Sequence, residues 1–210
     1  MLTRQFLQLH SRAFSTSATV LKAAKPPSPS LISLKLGKIL ECRTHPDADK
    51  LYVSSIAHHE TKDPLTVCSG LKDFIPIYQM QQRHVVLVTN LKPSPMRGII
   101  SEAMLLAAEK TSGDGDNIVI DSVELVEPPS GASVGDELIW EGIEDVSELD
   151  ESGEKKRLSP KTWKKIQKKL FTDEIGNVTY EDEEGIKHKL VVKASGQPVG
   201  VKSAFNAVVR

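Results

Sequence analysis

Three groups of side chains in this 210-residue chain are of types that could do chemistry. Residues 85–108 read VVLVTNLKPSPMRGIISEAMLLAA, with Asn90, Lys92, Met96 and Arg97 in one short loop and Ser101 and Met104 just after it. A second group is denser: Lys155, Lys156, Arg157, Lys161, Lys164, Lys165, Lys168 and Lys169. Ammonium and guanidinium groups at that spacing can form a phosphate-binding ridge, although an ordinary solvated lysine face has the same composition. The third group is His45, Asp47 and Asp49. These are metal-ligand types, but their spacing fits neither a zinc pattern nor a calcium loop. Pro46 at the first position of a short helical turn, with aspartates at its positive end, explains them as a structural turn. The Asp and Gly of 111–117 lack the glutamate that a calcium loop requires. There is no GxSxG, P-loop or HExxH, and apart from His58-His59 the histidines are scattered. The chain is therefore expected to be non-catalytic, with no cofactor or metal.

The elements that hold these groups read as many short strands. Residues 85–89 are an apolar β-branched run, and 99–108 form a second run. Pro93, Pro95 and Gly98 are expected to keep regular structure out of the loop between them. Upstream, 31–43 reads as a strand in which Gly37 marks a bulge. Residues 51–58 and 65–69 read as a hairpin with a solvated tip at 58–63, and 75–80 as a short turn or helix. Further strands are expected at 118–125 and 137–140. Short strands punctuated by Gly and Pro, around one central turn, suggest a small closed barrel. Beyond an acidic loop at 141–154, Ser159-Pro160 starts a helix. Trp163, Ile166 and Leu170 would give it one packed face, the lysines pointing away. Residues 178–180 and 188–192 read as strands joined by a hairpin at 182–185.

Residues 1–30 differ in kind. They carry Arg4, Arg12, Lys22 and Lys25 with many Ser and Thr, and the first acidic residue is Glu41. Leu2, Phe6, Leu9 and Ala13 recur at helical spacing. This is the composition of a mitochondrial transit peptide, followed at 25–30 by an extended proline-rich linker. No apolar run approaches the ~20 residues of a membrane-spanning helix. The expected division is a presequence and linker at 1–30, a barrel at 31–142 and an extension at 143–210, with a mitochondrial matrix location. Cys42 and Cys68 read as small buried hydrophobes of a reducing compartment.

Three blocks within the barrel carry a resemblance. NLKPSPMRGIISEAM at 90–104 resembles the NLKPxKMRGxxSxxM signature of the EMAP-type tRNA-binding domain. HPDADKLY at 45–52 is similar to that family's HPxADxLY block, and CSGL at 68–71 to its VSGL. The PPSGASVGD run at 128–136 and the Trp-bearing, Lys-rich helix with its short strands are looser matches. The resemblance implies a mainly β protein: a five-stranded OB-fold barrel with short helices, plus a small C-terminal α+β extension packed on it. It further implies that the extension replaces a second subunit, giving a monomer with an internal pseudo-dimer interface.

The partner it implies is tRNA, with an aminoacyl-tRNA synthetase assisted in turn. Lys92, Arg97 and the Lys155–Lys169 cluster would meet phosphates, while Asn90, Met96, Ser101 and Met104 would touch sugars or bases. The sequence departs from the signature at Pro95, where a lysine is usual. The barrel span 31–142 also holds ten basic and sixteen acidic residues, so RNA affinity must come from a local patch. Only 5% of residues are aromatic, which argues against base stacking on single-stranded DNA. A mitochondrial protein-interaction scaffold that keeps the barrel without RNA affinity is the alternative these two features motivate.

Overall fold

The computed structural model describes residues 26–113 and 117–210. The expected amphipathic presequence helix and Asp114 and Asp116 of the polar loop lie outside the described residues. A 3-10 turn (Pro29–Leu31) leads into β1 (Leu34–Thr44), β2 (Tyr52–Ala57), β3 (Leu65–Ser69), α1 (Ile77–Met80) and β4 (His84–Val88). There follow β5 (Ser94–Met96), β6 (Ile99–Ser101), β7 (Met104–Leu105), β8 (Ala107–Ser112), β9 (Val119–Leu125) and β10 (Glu137–Trp140). The extension contributes α2 (Pro160–Gln167), β11 (Leu170–Thr172), β12 (Val178–Glu181), β13 (Lys187–Val192) and β14 (Val208–Val209).

The protein is mainly β, and its first part is the OB-type barrel. β1, β2 and β3 form an antiparallel meander, and β4 returns along β1 from Leu34↔Val88 to Lys38↔His84. The fifth barrel strand is the broken run from β6 to β8. It pairs with β4 at Leu87↔Leu105, and Glu102 donates its amide to Thr66 of β3, closing the barrel. Closure requires β1 to curl, and a register shift between Ile39 and Glu41 provides the bend. Gly37 lies two residues before that bulge and serves another purpose. A Cβ there would sit 2.7 Å from Leu87 Cδ1 and 3.0 Å from the Ala57 carbonyl. Only glycine lets the strands cross this closely. Met80 at the end of α1 is fully buried in the barrel core, as expected of an element that plugs it.

The continuous apolar run at 85–88 has a reason visible in two cores. Val85 and Leu87 face the barrel interior with Ile39, Ile56 and Val67. Val86 and Val88 face the other way, into a core shared with the extension. That second core joins Leu34, Leu36 and Leu106 of the barrel to Trp163, Ile166, Leu170, Tyr180 and Leu190. A strand buried on both faces cannot alternate with polar residues. Two ladders complete the join: β10 pairs with β13, and β8 with β14. The extension is thus packed on the barrel through one apolar core.

Four local expectations are corrected. The proline-rich stretch 26–30 is not a free linker: Pro29 and Ser30 are buried, and the Trp140 indole donates to the Pro29 carbonyl at 3.2 Å. The 90–98 loop is not irregular throughout. Arg97 (φ 48°) and Gly98 (φ 90°) form a two-residue turn joining β5 to β6. That sign at both positions suits a tight hairpin turn, and Pro95 is tolerated because β5 and β6 form a separate two-stranded sheet. Leu170 opens β11 rather than ending the helix, since α2 stops at Gln167. His58 is not at a solvated tip but is buried. Among the described residues, no helix is long and apolar enough to cross a membrane.

Candidate nucleic-acid interface

The signature loop and the basic segment, 66 residues apart in sequence, are tied together by Asn90. Its Oδ1 accepts from the Ser33 amide, and its Nδ2 donates to the carbonyls of Leu31 and Lys156, each at 2.9 Å. The Asn90 carbonyl accepts from the Leu158 amide, and Leu91 bridges Leu158 in parallel register. Asn90 is 4% exposed and has spent its amide on backbone partners. It therefore cannot be the sugar or base contact expected from the sequence. Ser101 is corrected likewise: its buried hydroxyl accepts from the Cys68 amide and donates to the Ala103 carbonyl. Both residues shape the site from behind.

Met104 is half-buried in β7 against the shared core, which leaves it a packing role. Met96 is half-buried, and its carbonyl accepts from His45 Nε2 at 3.0 Å. The Asp47 amide donates to His45 Nδ1, so both ring nitrogens are engaged and the proton lies on Nε2. His45 is thereby a strut holding the β5–β6 hairpin, whose tip presents Arg97 to solvent.

The basic segment divides. Lys155 turns inward to the Ser30 carbonyl and Asp145, Lys156 pairs with Glu148 at 2.6 Å, and Lys169 pairs with Glu183 beside the Tyr180 ring. Donating hydrogen bonds to Glu148 and Glu183 raises the pKa of Lys156 and of Lys169 from the ordinary lysine value. Their charge is already matched, so the expected ridge loses three members. Arg157 donates to the carbonyls of Thr89 and Leu91, at 3.3 and 2.7 Å, which places its guanidinium one residue from Lys92.

The remaining lysines lie on α2 and at its C-cap, Lys168. Ser159 Oγ caps its start by accepting from the Thr162 amide, and Pro160 follows at the first helical position. Trp163 and Ile166 are buried against the shared core. Lys161, Lys164, Lys165 and Lys168 recur at i, i+3, i+4 and i+7, forming one exposed stripe on the opposite side. None of the four, nor Lys92 or Arg97, forms an ion pair among the described residues. Like charges at these spacings cost the helix a few tenths of a kcal/mol per pair, and the first turn carries no acidic residue to offset them. The stripe is thus an exposed cationic face that no carboxylate among the described residues matches.

A cleft beside this surface was not read from the sequence. It is lined by Lys35, His58, Lys62, Glu154 and Arg157 among others. Glu154 bridges Lys35 at 2.9 Å and Lys62 at 2.8 Å, and these hydrogen bonds, that from Lys62 first, bring its pKa down to about 2. The one local signal was Lys35 between Leu34 and Leu36 in an apolar strand; its partner is 119 residues away.

The chain is thus an OB-type barrel with an exposed basic flank, its buried loop amide and hydroxyl committed to backbone. Residues 34–137 match the family model described as "Putative tRNA binding domain", and the chain belongs to this family. It is 42% identical over 170 residues to the tRNA-aminoacylation cofactor arc1 of Schizosaccharomyces pombe, which covers 81% of this chain and 35% of that protein. It is 38% identical over 167 residues to the aminoacyl tRNA synthase complex-interacting multifunctional protein 1 of Cricetulus griseus, covering 79% of this chain and 42% of that one. The chain thus spans less than half the length of these two relatives. The C-terminal domain of Plasmodium vivax p43 superposes with a TM-score of 0.65 over 86% of this chain and 98% of that one, at 22% identity, a likeness of fold.

Proposed function

We propose that this protein binds tRNA through its phosphate backbone, carries out no catalysis itself, and assists an aminoacyl-tRNA synthetase. The observation that carries the reading is the unpaired basic surface formed by Lys92, Arg97, Arg157 and the α2 stripe, joined across the barrel–extension boundary by Asn90. The cofactor relatives support the synthetase role. The presequence-like composition of residues 1–30 motivates a mitochondrial matrix location. The apolar face of the barrel is covered by the chain's own extension, which supports a monomer.

A salt titration of bulk tRNA binding to the full chain tests the reading. With these seven cations engaged, the log–log slope should be about −6, a loss of several thousandfold in affinity, roughly, between 50 and 200 mM salt. Reversing Lys164→Glu and Lys165→Glu together should make the slope shallower by about two or more. No tRNA shift at physiological salt would sink the proposal and turn attention to a protein scaffold, the reading favoured by the excess of acidic residues in the barrel.

A further inference from the structure

The cleft between the barrel and the 149–157 segment has a volume of about 210 Å³. Lys35 stands at its wall only 9% exposed, a burial that lysine accepts only when paired. Its partner Glu154 reaches across from the extension and spans two ammonium groups at once. His58, on the same wall, is also 9% exposed, and its Nδ1 finds no hydrogen-bond partner among the described residues. Burial first, then Lys35 and Lys62, lower its pKa from the ordinary value, so the ring is neutral near pH 7. A buried ring nitrogen left unbonded costs free energy unless a ligand uses it. Arg157 also lines the cleft and joins it to the basic surface described above.

A carboxylate held between two ammonium groups offers them two oxygens. A phosphoryl group offers three, with as much charge or more, and one is left over for a third donor. We propose that this cleft is a phosphate subsite for a nucleotide, in which the phosphate displaces Glu154 from Lys35 and Lys62 and accepts a hydrogen bond from His58. Glu154 is then a built-in competitor that keeps the buried Lys35 ammonium from standing unmatched in the empty site. This deepens the tRNA reading and rests on it only for the ligand's being a nucleotide.

The test is calorimetric titration of the full chain with adenosine 5′-monophosphate, with adenosine as the control lacking phosphate. The nucleotide should bind saturably and the nucleoside should not. Glu154→Gln should tighten binding about tenfold and Lys62→Ala weaken it by about as much, the size of one hydrogen bond to a charged group. Binding should also move the His58 ring nitrogen resonances. Displacement of the nucleotide by tRNA carrying a 5′-phosphate would assign the site to the terminal phosphate of an RNA strand, and retention at saturating tRNA would assign it to a free nucleotide. No saturable nucleotide binding in either the parent or the Glu154→Gln protein overturns the proposal, as does binding indifferent to Lys62→Ala. The double charge reversal at Lys164 and Lys165 should weaken tRNA and leave the mononucleotide unaffected, so the two readings fail separately.

Discussion

Asn90→Ala separates a structural clasp from a ligand contact. The side chain makes three hydrogen bonds at 2.9 Å, one as acceptor from Ser33 and two as donor to Leu31 and Lys156. Each contributes about 0.5–1.5 kcal/mol net, and truncation leaves poorly solvated backbone groups behind, so the expected loss is about 2–4 kcal/mol. At about 2–4 °C per kcal/mol for a chain of this size, the thermal midpoint should fall by roughly 5–15 °C. Circular dichroism melts measure this directly. Affinity for tRNA should also fall, because the loop carrying Lys92 is no longer fixed against Arg157. The salt slope of whatever binding remains should be retained, since no charge has been removed. Asn90→Asp is a second arm: its carboxylate still accepts from Ser33 but cannot donate to the two carbonyls, so it too should destabilise. If Asn90→Ala melts within a degree or two of the parent and yet loses tRNA affinity, the amide touches the ligand and the clasp argument is wrong.

Two other outcomes follow from the packing and charge. Gly37→Ala should destabilise by about 1–3 kcal/mol, read by urea denaturation, because its methyl would press on Leu87 and on the rigid Ala57 carbonyl; an unchanged midpoint would show that the crossing relaxes freely. Glu154, with its pKa brought down to about 2 from 4.5, stabilises the fold fully above about pH 4.5 and loses that contribution as the pH falls toward 2. Stability measured across that window should therefore fall less steeply in Glu154→Gln than in the parent. Solvent screening of the partly exposed carboxylate makes the difference smaller than the displacement alone implies. Identical pH profiles would refute the bridge.

The barrel is legible along the chain because its signals are local and periodic. Short apolar runs cut by Gly and Pro place the strands, and three near-contiguous blocks tie them to a known domain. The sequence also determined the start of α2, since Ser159-Pro160 and the Trp163–Ile166 spacing act within one or two turns. It misread the 90–98 loop because proline was weighed as a breaker, while Arg97-Gly98 set a turn that pairs the strands on either side. The roles of the site residues were decided only in three dimensions. Whether an asparagine or a serine meets a ligand or a backbone amide depends on what the fold brings alongside it, and residue type is silent on that. Lysine count likewise hides which lysines are matched: Lys155, Lys156 and Lys169 look like their neighbours in sequence, yet each meets a carboxylate. Charge pairing across 119 residues, as between Lys35 and Glu154, leaves no periodic trace along the chain. Hydrophobic patterning is repeated many times and so survives in one dimension, whereas a polar contact is a single event fixed by tertiary packing.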